Sequence, residues 1–192
     1  VHTNPDFSTS GLSAVVAEYY AAAGKKEGLR ESEVTSSKAR RTVRDIERSI
    51  VHYGDTTLFI ADQMRKRGTG YASAVAMEEV TLLDFNRTRG SGQKLVAIYP
   101  SEGTFYSDDP YIVLNAPWVT PAQKGAAGVF GKFLQQQITP AKAAQYGFRP
   151  GDPKKQPMAP IDAQHGANPA EPKHVLGLPE PAVLDRVLRA WR

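Results

Sequence analysis

The first turn of the chain is built on the run Asn4-Pro5-Asp6-Phe7-Ser8-Thr9-Ser10-Gly11. Apolar residues then recur at helical spacing, namely Leu12, Val15, Val16, Tyr19 and Tyr20. We therefore expect a helix that begins at the hydroxyl residues and ends near Gly24. Hydroxyls and unpaired N–H groups at the positive end of a helix can bind carboxylate, phosphate or sulfate. An ordinary N-cap explains the same pattern, so both interpretations stay open.

The rest of the chain alternates helical and extended patterns. Helices are expected from about Ser37 to His52, from the Asp55-Thr56-Thr57 cap to Gly68, after Glu78-Glu79, after Thr120-Pro121, after Thr139-Pro140, and at the chain end around Val183 to Trp191. Strand patterns cover residues 71–77, 94–99 and 111–115. This alternation predicts an α/β class.

Composition and motif spacing argue against an enzyme. The 192 residues include no cysteine, and the four histidines (His2, His52, His165, His174) show no metal-ligand spacing. No nucleophile elbow or phosphate-binding glycine loop is found. The adjacent carboxylates Glu78-Glu79 and Asp108-Asp109 should point in different directions, so neither pair is a ready acid/base dyad. We therefore predict no catalytic residue, no cofactor and no metal site.

The net charge of +4 is spread over solvated helix faces. The basic residues around Lys38 to Arg48 and Arg65 to Arg67 are diluted by acidic neighbours and lack interleaved aromatic residues. A nucleic-acid or lipid-phosphate surface is the less favoured interpretation of these groups. Val1 leads into His2-Thr3-Asn4-Pro5 with neither a basic start nor an apolar stretch, as expected for a mature, trimmed or excised part of a longer protein.

Several segments, in order, resemble the second lobe of type II (two-lobed) extracellular solute-binding proteins of the sulfate, molybdate and phosphate kind. They are Asn4-Pro5 with Ser8-Thr9-Ser10-Gly11, Tyr71 to Ala76 with Glu78-Glu79, Tyr99-Pro100-Ser101-Glu102-Gly103-Thr104, Asp109 to Leu114, the helix Ala126 to Leu134, and Gln145-Tyr146-Gly147-Phe148-Arg149-Pro150. The resemblance covers about residues 4–150.

The resemblance implies a three-layer lobe of the type II periplasmic-binding-protein fold, a mixed sheet flanked by helices, in residues 1–150. It implies a non-catalytic, ABC-transporter-type binding domain that captures a small polar or anionic ligand between two lobes, the first of which is absent from this chain. Ser8, Thr9 and Ser10 would supply donors, the ring of Tyr71 would cover the ligand, and Glu78 would accept from an amine or hydroxyl. Thr104 is a further ligand-binding candidate, and a hinge role is equally open for it.

The remaining residues are expected to form a Pro/Gly-rich linker (151–178) and a C-terminal helix (179–192). This end is similar to linkers that precede a von Willebrand factor A domain in some bacterial surface proteins. Expected partners are therefore a small solute, the first lobe of the same protein, a von Willebrand factor A domain and a membrane transporter, at an extracellular, cell-surface-anchored location. The alternative is a ligand-free interaction or spacer module beside that domain.

The absence of a first lobe leads to one more expectation. Residues 111–114 and the helix at 122–136 belong, by resemblance, to the side that meets the first lobe. They should leave an apolar patch that favours self-association.

Overall fold

The computed structural model describes residues 1–152 and 154–192, and most of its regular secondary structure is helical. The helices within these residues are α1 (Thr9–Ala23), α2 (Glu31–Val34), α3 (Ser37–Glu47), α4 (Thr57–Arg67), α5 (Glu79–Thr88), α6 (Pro121–Gln137), α7 (Pro140–Gln145) and α8 (Pro181–Trp191), with 3-10 turns at Gly68–Gly70 and Ala163–His165. Two short strands, β1 (His2–Thr3) and β2 (Tyr53–Gly54), pair in parallel. In this coarse form the chain mixes α and β structure. No helix of the described part has both the length and the apolar character that a membrane crossing requires.

Helix starts follow the caps in the sequence. Ser36, Thr56, Thr120 and Thr139 each accept a hydrogen bond from the backbone N–H three residues later, and α1 ends at Gly24 with φ of 68°. These boundaries confirm the predicted ones. The predicted end of α3 near His52 is wrong, because the chain tightens into turns after Glu47 and so brings Tyr53 alongside His2.

The main core lies between α1 and the helices that pack on it, α3 and α8. Its largest fully buried side chains include Tyr19 and Tyr20 of α1, Val34 of α2 and Val187 of α8. A second cluster joins α4 and α5 through Ile60, Met64, Tyr71 and Phe85. The apolar stripes of the helices therefore account for most of the burial.

The three predicted strands have no strand assignment in the structure, and Tyr71, at the start of the first, has a helical backbone (φ −85°, ψ −50°). Residues 74–76 exchange two backbone hydrogen bonds with Val1, both of 3.0 Å. Residues 94–97 instead bond to the side chain of Asn86 and to Gly166. Alternating apolar residues specify an extended backbone, but a strand also needs a neighbouring backbone in register. For residues 74–76 the neighbour is Val1 at the chain start. For residues 94–97 it is the Asn86 side chain together with the Gly166 carbonyl.

Residues 154–180, which we call the strap, contain one 3-10 turn and no helix or strand. This agrees with the composition of the predicted linker 151–178, in which Pro153 lies outside the described residues. The strap is nevertheless packed, because Ile161 and Ala167 are buried against α5 and Leu176 is buried in the main core. It therefore covers the helices and is not a free spacer.

Residues 107–138, which we call the arm, consist of an extended segment and α6. Tyr111 packs on α6, where its hydroxyl donates to the Ala127 carbonyl at 2.8 Å and its ring meets Phe130. No hydrogen bond joins the arm to the rest of the described chain, and α6 buries none of its residues. The expected inward face of α6 is therefore exposed in this structure, since nothing covers it.

Candidate functional site

The first turn of α1 presents polar groups to solvent. Ser8 is the N-cap with an extended backbone, but its hydroxyl donates to Thr3 Oγ1 at 2.7 Å and does not cap the helix. The first N–H of the helix with a backbone partner is that of Leu12, which donates to the Ser8 carbonyl at 3.0 Å. The N–H groups of Thr9 and Ser10 have no partner within the described residues, and the Thr9 side chain is exposed. The predicted helix start is confirmed. The N–H groups of Thr9 and Ser10 at this start are left without a hydrogen-bond partner in the described chain.

Glycine at position 11 allows this turn to lie against the end of β1. A Cβ on Gly11 would be 2.1 Å from the carbonyl oxygen of Thr3, well inside any permitted contact. The N–H of Ser8 donates to the Asn4 carbonyl at 3.0 Å and closes the turn from the other side. The Ser-Thr-Ser-Gly run is therefore held in place by backbone packing as well as by hydrogen bonds.

Glu78 is the polar centre of the site. Its carboxylate accepts from the hydroxyls of Ser10, of Thr57 at 2.6 Å and of Thr81 at 3.2 Å. Burial by itself would raise the pKa of Glu78, but these hydroxyls and the residue's own backbone outweigh burial and lower it. The predicted residues Ser10 and Glu78 therefore lie together, as parts of one hydrogen-bonded group.

Three helices begin at this carboxylate. Ser10 is in the first turn of α1, Thr57 is the first residue of α4, and Glu78 is the N-cap of α5. A helix N-terminus carries a partial positive charge, worth about half a unit when the dipoles are aligned. The site thus combines three positive helix ends with one fixed negative charge.

The neighbouring carboxylate, Glu79, belongs to a different network. Arg149 binds it through two nitrogens, Nε at 2.6 Å and Nη2 at 2.8 Å, and the Tyr99 hydroxyl donates to the same carboxylate. Burial and the hydrogen bond to Glu79 raise the pKa of Tyr99 to about 12. Glu78 and Glu79 therefore point in different directions, as predicted, and Glu79 ties the segments at Tyr99 and Arg149 to α5.

Tyr71 is a packing residue in this arrangement. Its ring stacks on His52 with centroids 4.6 Å apart, and the Arg67 guanidinium lies 5.4 Å from its centroid. Tyr71 is 6% exposed. The second apolar cluster buries this ring, and its predicted contact with a ligand stays a prediction.

Thr104 is half-buried and connects to the strap. Its N–H donates to the His174 carbonyl at 3.1 Å, and its carbonyl accepts from the N–H of Leu176 at 2.8 Å. No hydrogen bond joins it to the Ser10–Glu78 group in the described chain. The structure therefore separates Thr104 from the other candidate residues.

Two residues of the site were not predicted, Thr57 and Thr81. Thr81 stands three residues after the N-cap Glu78, which is the spacing of a reciprocal cap and could have indicated the contact. Thr57 follows the true cap, Thr56, and no sequence pattern connects it with Glu78, which is 21 residues away.

Two partly open pockets lie away from the candidate residues. One, of about 210 Å³, is lined by Tyr99, Pro100, Ser101, Glu171, Lys173 and His174, and another, of about 160 Å³, adjoins Tyr20 and Glu102. Both are smaller than a typical ligand pocket of at least about 300 Å³. Neither includes residues 8–10 or Glu78.

No protein-family model matches the chain, and comparison with curated proteins and with solved structures gives no match.

Proposed function

We propose that this chain is one ligand-gripping lobe of an extracellular, two-lobed solute-binding protein, and that it captures a small polar or anionic solute without catalysis. The observation that carries the proposal is the first turn of α1, where the N–H groups of Thr9 and Ser10 have no partner in the described chain, Thr9 is exposed, and Ser10 contacts Glu78. Such a turn binds an oxyanion without a full cation.

The fixed charge of Glu78 restricts the ligand. A bare dianion would be repelled by this carboxylate, whereas the N–H groups of Thr9 and Ser10 favour an oxygen acceptor. A solute with both an acceptor group and a donor group, such as an amino acid or a hydroxy acid, matches both features. Its donor would replace one of the hydroxyls that now occupy Glu78.

The arm supports the existence of a second lobe. Its extended segment and α6 expose Ile112, Leu114, Trp118, Val129, Phe130 and Phe133. We propose that the first lobe of the same protein covers this face, and that segments 94–99 and 111–115 then act as strands of a mixed sheet. The complete lobe would have three layers, with helices on both sides of that sheet.

The competing proposal is a ligand-free interaction or spacer module, next to a von Willebrand factor A domain at the cell surface. The observation that favours it is the hydrogen bond that the Ser10 hydroxyl donates to the Glu78 carboxylate, which engages both side chains within the protein. In that case the hydroxyls of Ser10, Thr57 and Thr81 only connect helices through Glu78, and the exposed arm is the surface that binds a partner.

Amide chemical shifts can separate the two proposals. A micromolar two-lobe site is worth about 8 kcal/mol, so one lobe with half of the contacts should retain about 4 kcal/mol, which is millimolar affinity. Titration of sulfate, phosphate, amino acids, short peptides and sugars into the labelled chain should shift the amides of Thr9 and Ser10 with such an affinity. The capped start of α6 at Thr120 is an internal control and should not respond.

Substitution at Thr9 makes the test specific. Thr9→Asp places a carboxylate in the first turn, which favours the helix but should weaken binding of an anionic solute by about tenfold or more. Thr9→Asn is the neutral control and should retain binding. Silence of these amides across the whole panel would refute solute capture by this lobe and leave the interaction module.

A further inference from the structure

A second polar cluster lies beside the second half of α1 and shares no residue with the candidate site. It consists of His2 of β1, Glu18 of α1 and Glu47, the last residue of α3. One ligand atom from each, the imidazole nitrogen and two carboxylate oxygens, lies within 4.8 Å of the other two. The side chains of His2 and Glu47 are 3% and 13% exposed, so this is a largely buried set of three ionisable groups.

A backbone carbonyl orients the imidazole of His2. Its Nδ1 lies 2.7 Å from the carbonyl oxygen of Thr3, and because a carbonyl can only accept, Nδ1 must carry the hydrogen. Nε2 lies 3.0 Å from Glu47 Oε1 and donates to it when it carries a hydrogen, so a bound cation would take the place of that hydrogen. A histidine held through Nδ1 by a backbone carbonyl is the usual arrangement behind a metal-binding Nε2.

The two carboxylates are asymmetrically satisfied. Oε2 of Glu47 accepts from the Tyr53 hydroxyl at 2.6 Å and from Trp191 Nε1 at 2.8 Å, which fixes the carboxylate and turns Oε1 toward His2. Oε2 of Glu18 is fully buried and has no hydrogen-bond partner in the described chain. Within the same residues, no lysine or arginine forms an ion pair with Glu18 or Glu47.

We propose that His2, Glu18 and Glu47 form a binding site for a first-row divalent cation, with Zn²⁺ as the best match to one nitrogen and two oxygen ligands. A 2+ charge would balance the Glu18 carboxylate and add to the partial compensation that His2, Tyr53 and Trp191 give Glu47. Neighbouring ligand atoms of a tetrahedral zinc ion are about 3.4 Å apart, so separations of up to 4.8 Å must shorten by about 1.4 Å to close the site.

The cation would hold three secondary-structure elements together. Its three ligands come from β1, α1 and α3, and the hydrogen bond from Trp191 to Glu47 adds α8. With three protein ligands, a fourth position remains for water. The competing occupant is a proton: burial, together with the charge and hydrogen bonding of Glu47, raises the pKa of Glu18 to about 8, and a protonated Glu18 can donate to Glu47.

Metal titration distinguishes cation from proton. The full chain with Trp118→Phe retains Trp191 as its one tryptophan, so its emission reports on the cluster. After treatment with a chelator, Zn²⁺ should bind at one equivalent, change this emission and raise the Tm by about 5 °C or more at about 100-fold excess over Kd. Co²⁺ should give the intense visible absorption of a four- or five-coordinate site. No response of either kind would overturn the proposal in favour of the proton.

Glu18→Gln is the decisive variant, because it removes one ligand and also the repulsion between the carboxylates. It should fold at least as well as the metal-free parent, yet bind Zn²⁺ at least about tenfold more weakly. His2→Gln should lose binding as well. The control is the double variant His165→Gln and His174→Gln. It removes the two histidines of the strap and should leave binding unchanged. Unchanged Zn²⁺ binding in Glu18→Gln would contradict the assignment.

Discussion

At Gly11 a single missing side chain determines how α1 meets β1. The carbonyl of Thr3 occupies the space that a Cβ would need. Glycine normally weakens a helix by about 1 kcal/mol relative to alanine. Close packing against Thr3 explains why glycine is nevertheless the third residue of α1.

Gly11→Ala should therefore destabilise the fold by about 2 kcal/mol or more, since overpacking forces backbone shifts in α1 and β1. Gly128→Ala is the matched control, because a Cβ at that position in α6 has no atom within 4 Å. It should be neutral or slightly stabilising. Urea unfolding of the two variants measures both effects, and equal midpoints would show that the contact with Thr3 is easily relieved.

Glu78 should make stability depend on acid. Its pKa is lowered in the folded chain, so the stabilisation is fully present above the unfolded value of about 4.5 and is lost as the pH falls through the folded value. The unfolded chain takes up the proton first. Glu78→Gln should be less stable than the parent at neutral pH and lose less stability between about pH 5 and pH 3. Parallel acid slopes in denaturant unfolding would contradict a lowered pKa at this residue.

At the scale of elements, the strap shows that burial does not require regular structure. Ile161 is 1% exposed against α5, although its neighbours form turns. Ile161→Ala should cost about 2–5 kcal/mol of unfolding free energy, as for other buried aliphatic residues. Leu178→Ala, at a strap position that is 82% exposed, is the control and should change stability by less than about 0.5 kcal/mol. A small effect at Ile161 would mean that the strap is a free linker after all.

Helices were predictable from the sequence to the extent that their signals are local. Caps such as Thr56 and Thr120 act over three residues, and apolar spacing within α1 and α8 indicated the buried faces. The segments predicted as strands have no strand assignment, because their backbone partners are set by contacts between distant residues, such as Ala97 with Gly166. The same reason separates the predicted Ser10 from the unpredicted Thr57, since only the tertiary fold brings both to Glu78.

At the scale of the whole molecule, the arm carries several of the exposed large apolar side chains. Trp118 and Val129 are 74% and 71% exposed, and they belong to an apolar face of the kind that stable monomers avoid. The chain without a covering partner should therefore associate with itself, and light scattering should show a mass above that of the monomer at high concentration.

Val129→Lys should shift that association toward the monomer by about tenfold or more in dissociation constant, because a charge is expensive in an apolar contact. Gln136→Lys adds the same charge at an exposed polar position of α6 and should leave the mass unchanged. A strictly monomeric parent would argue that the arm folds back on its own lobe in solution.

Both ends of the chain lie side by side. Trp191 and His2 bind the same carboxylate, that of Glu47, and Arg192 pairs with Asp6 at 2.8 Å. A polypeptide that enters at Val1 and leaves after Arg192 thus enters and leaves at neighbouring points, the geometry of domains that tolerate insertion into a host and circular permutation. In terms of chain connectivity, the close ends would allow this fold to be inserted into a surface loop of another protein.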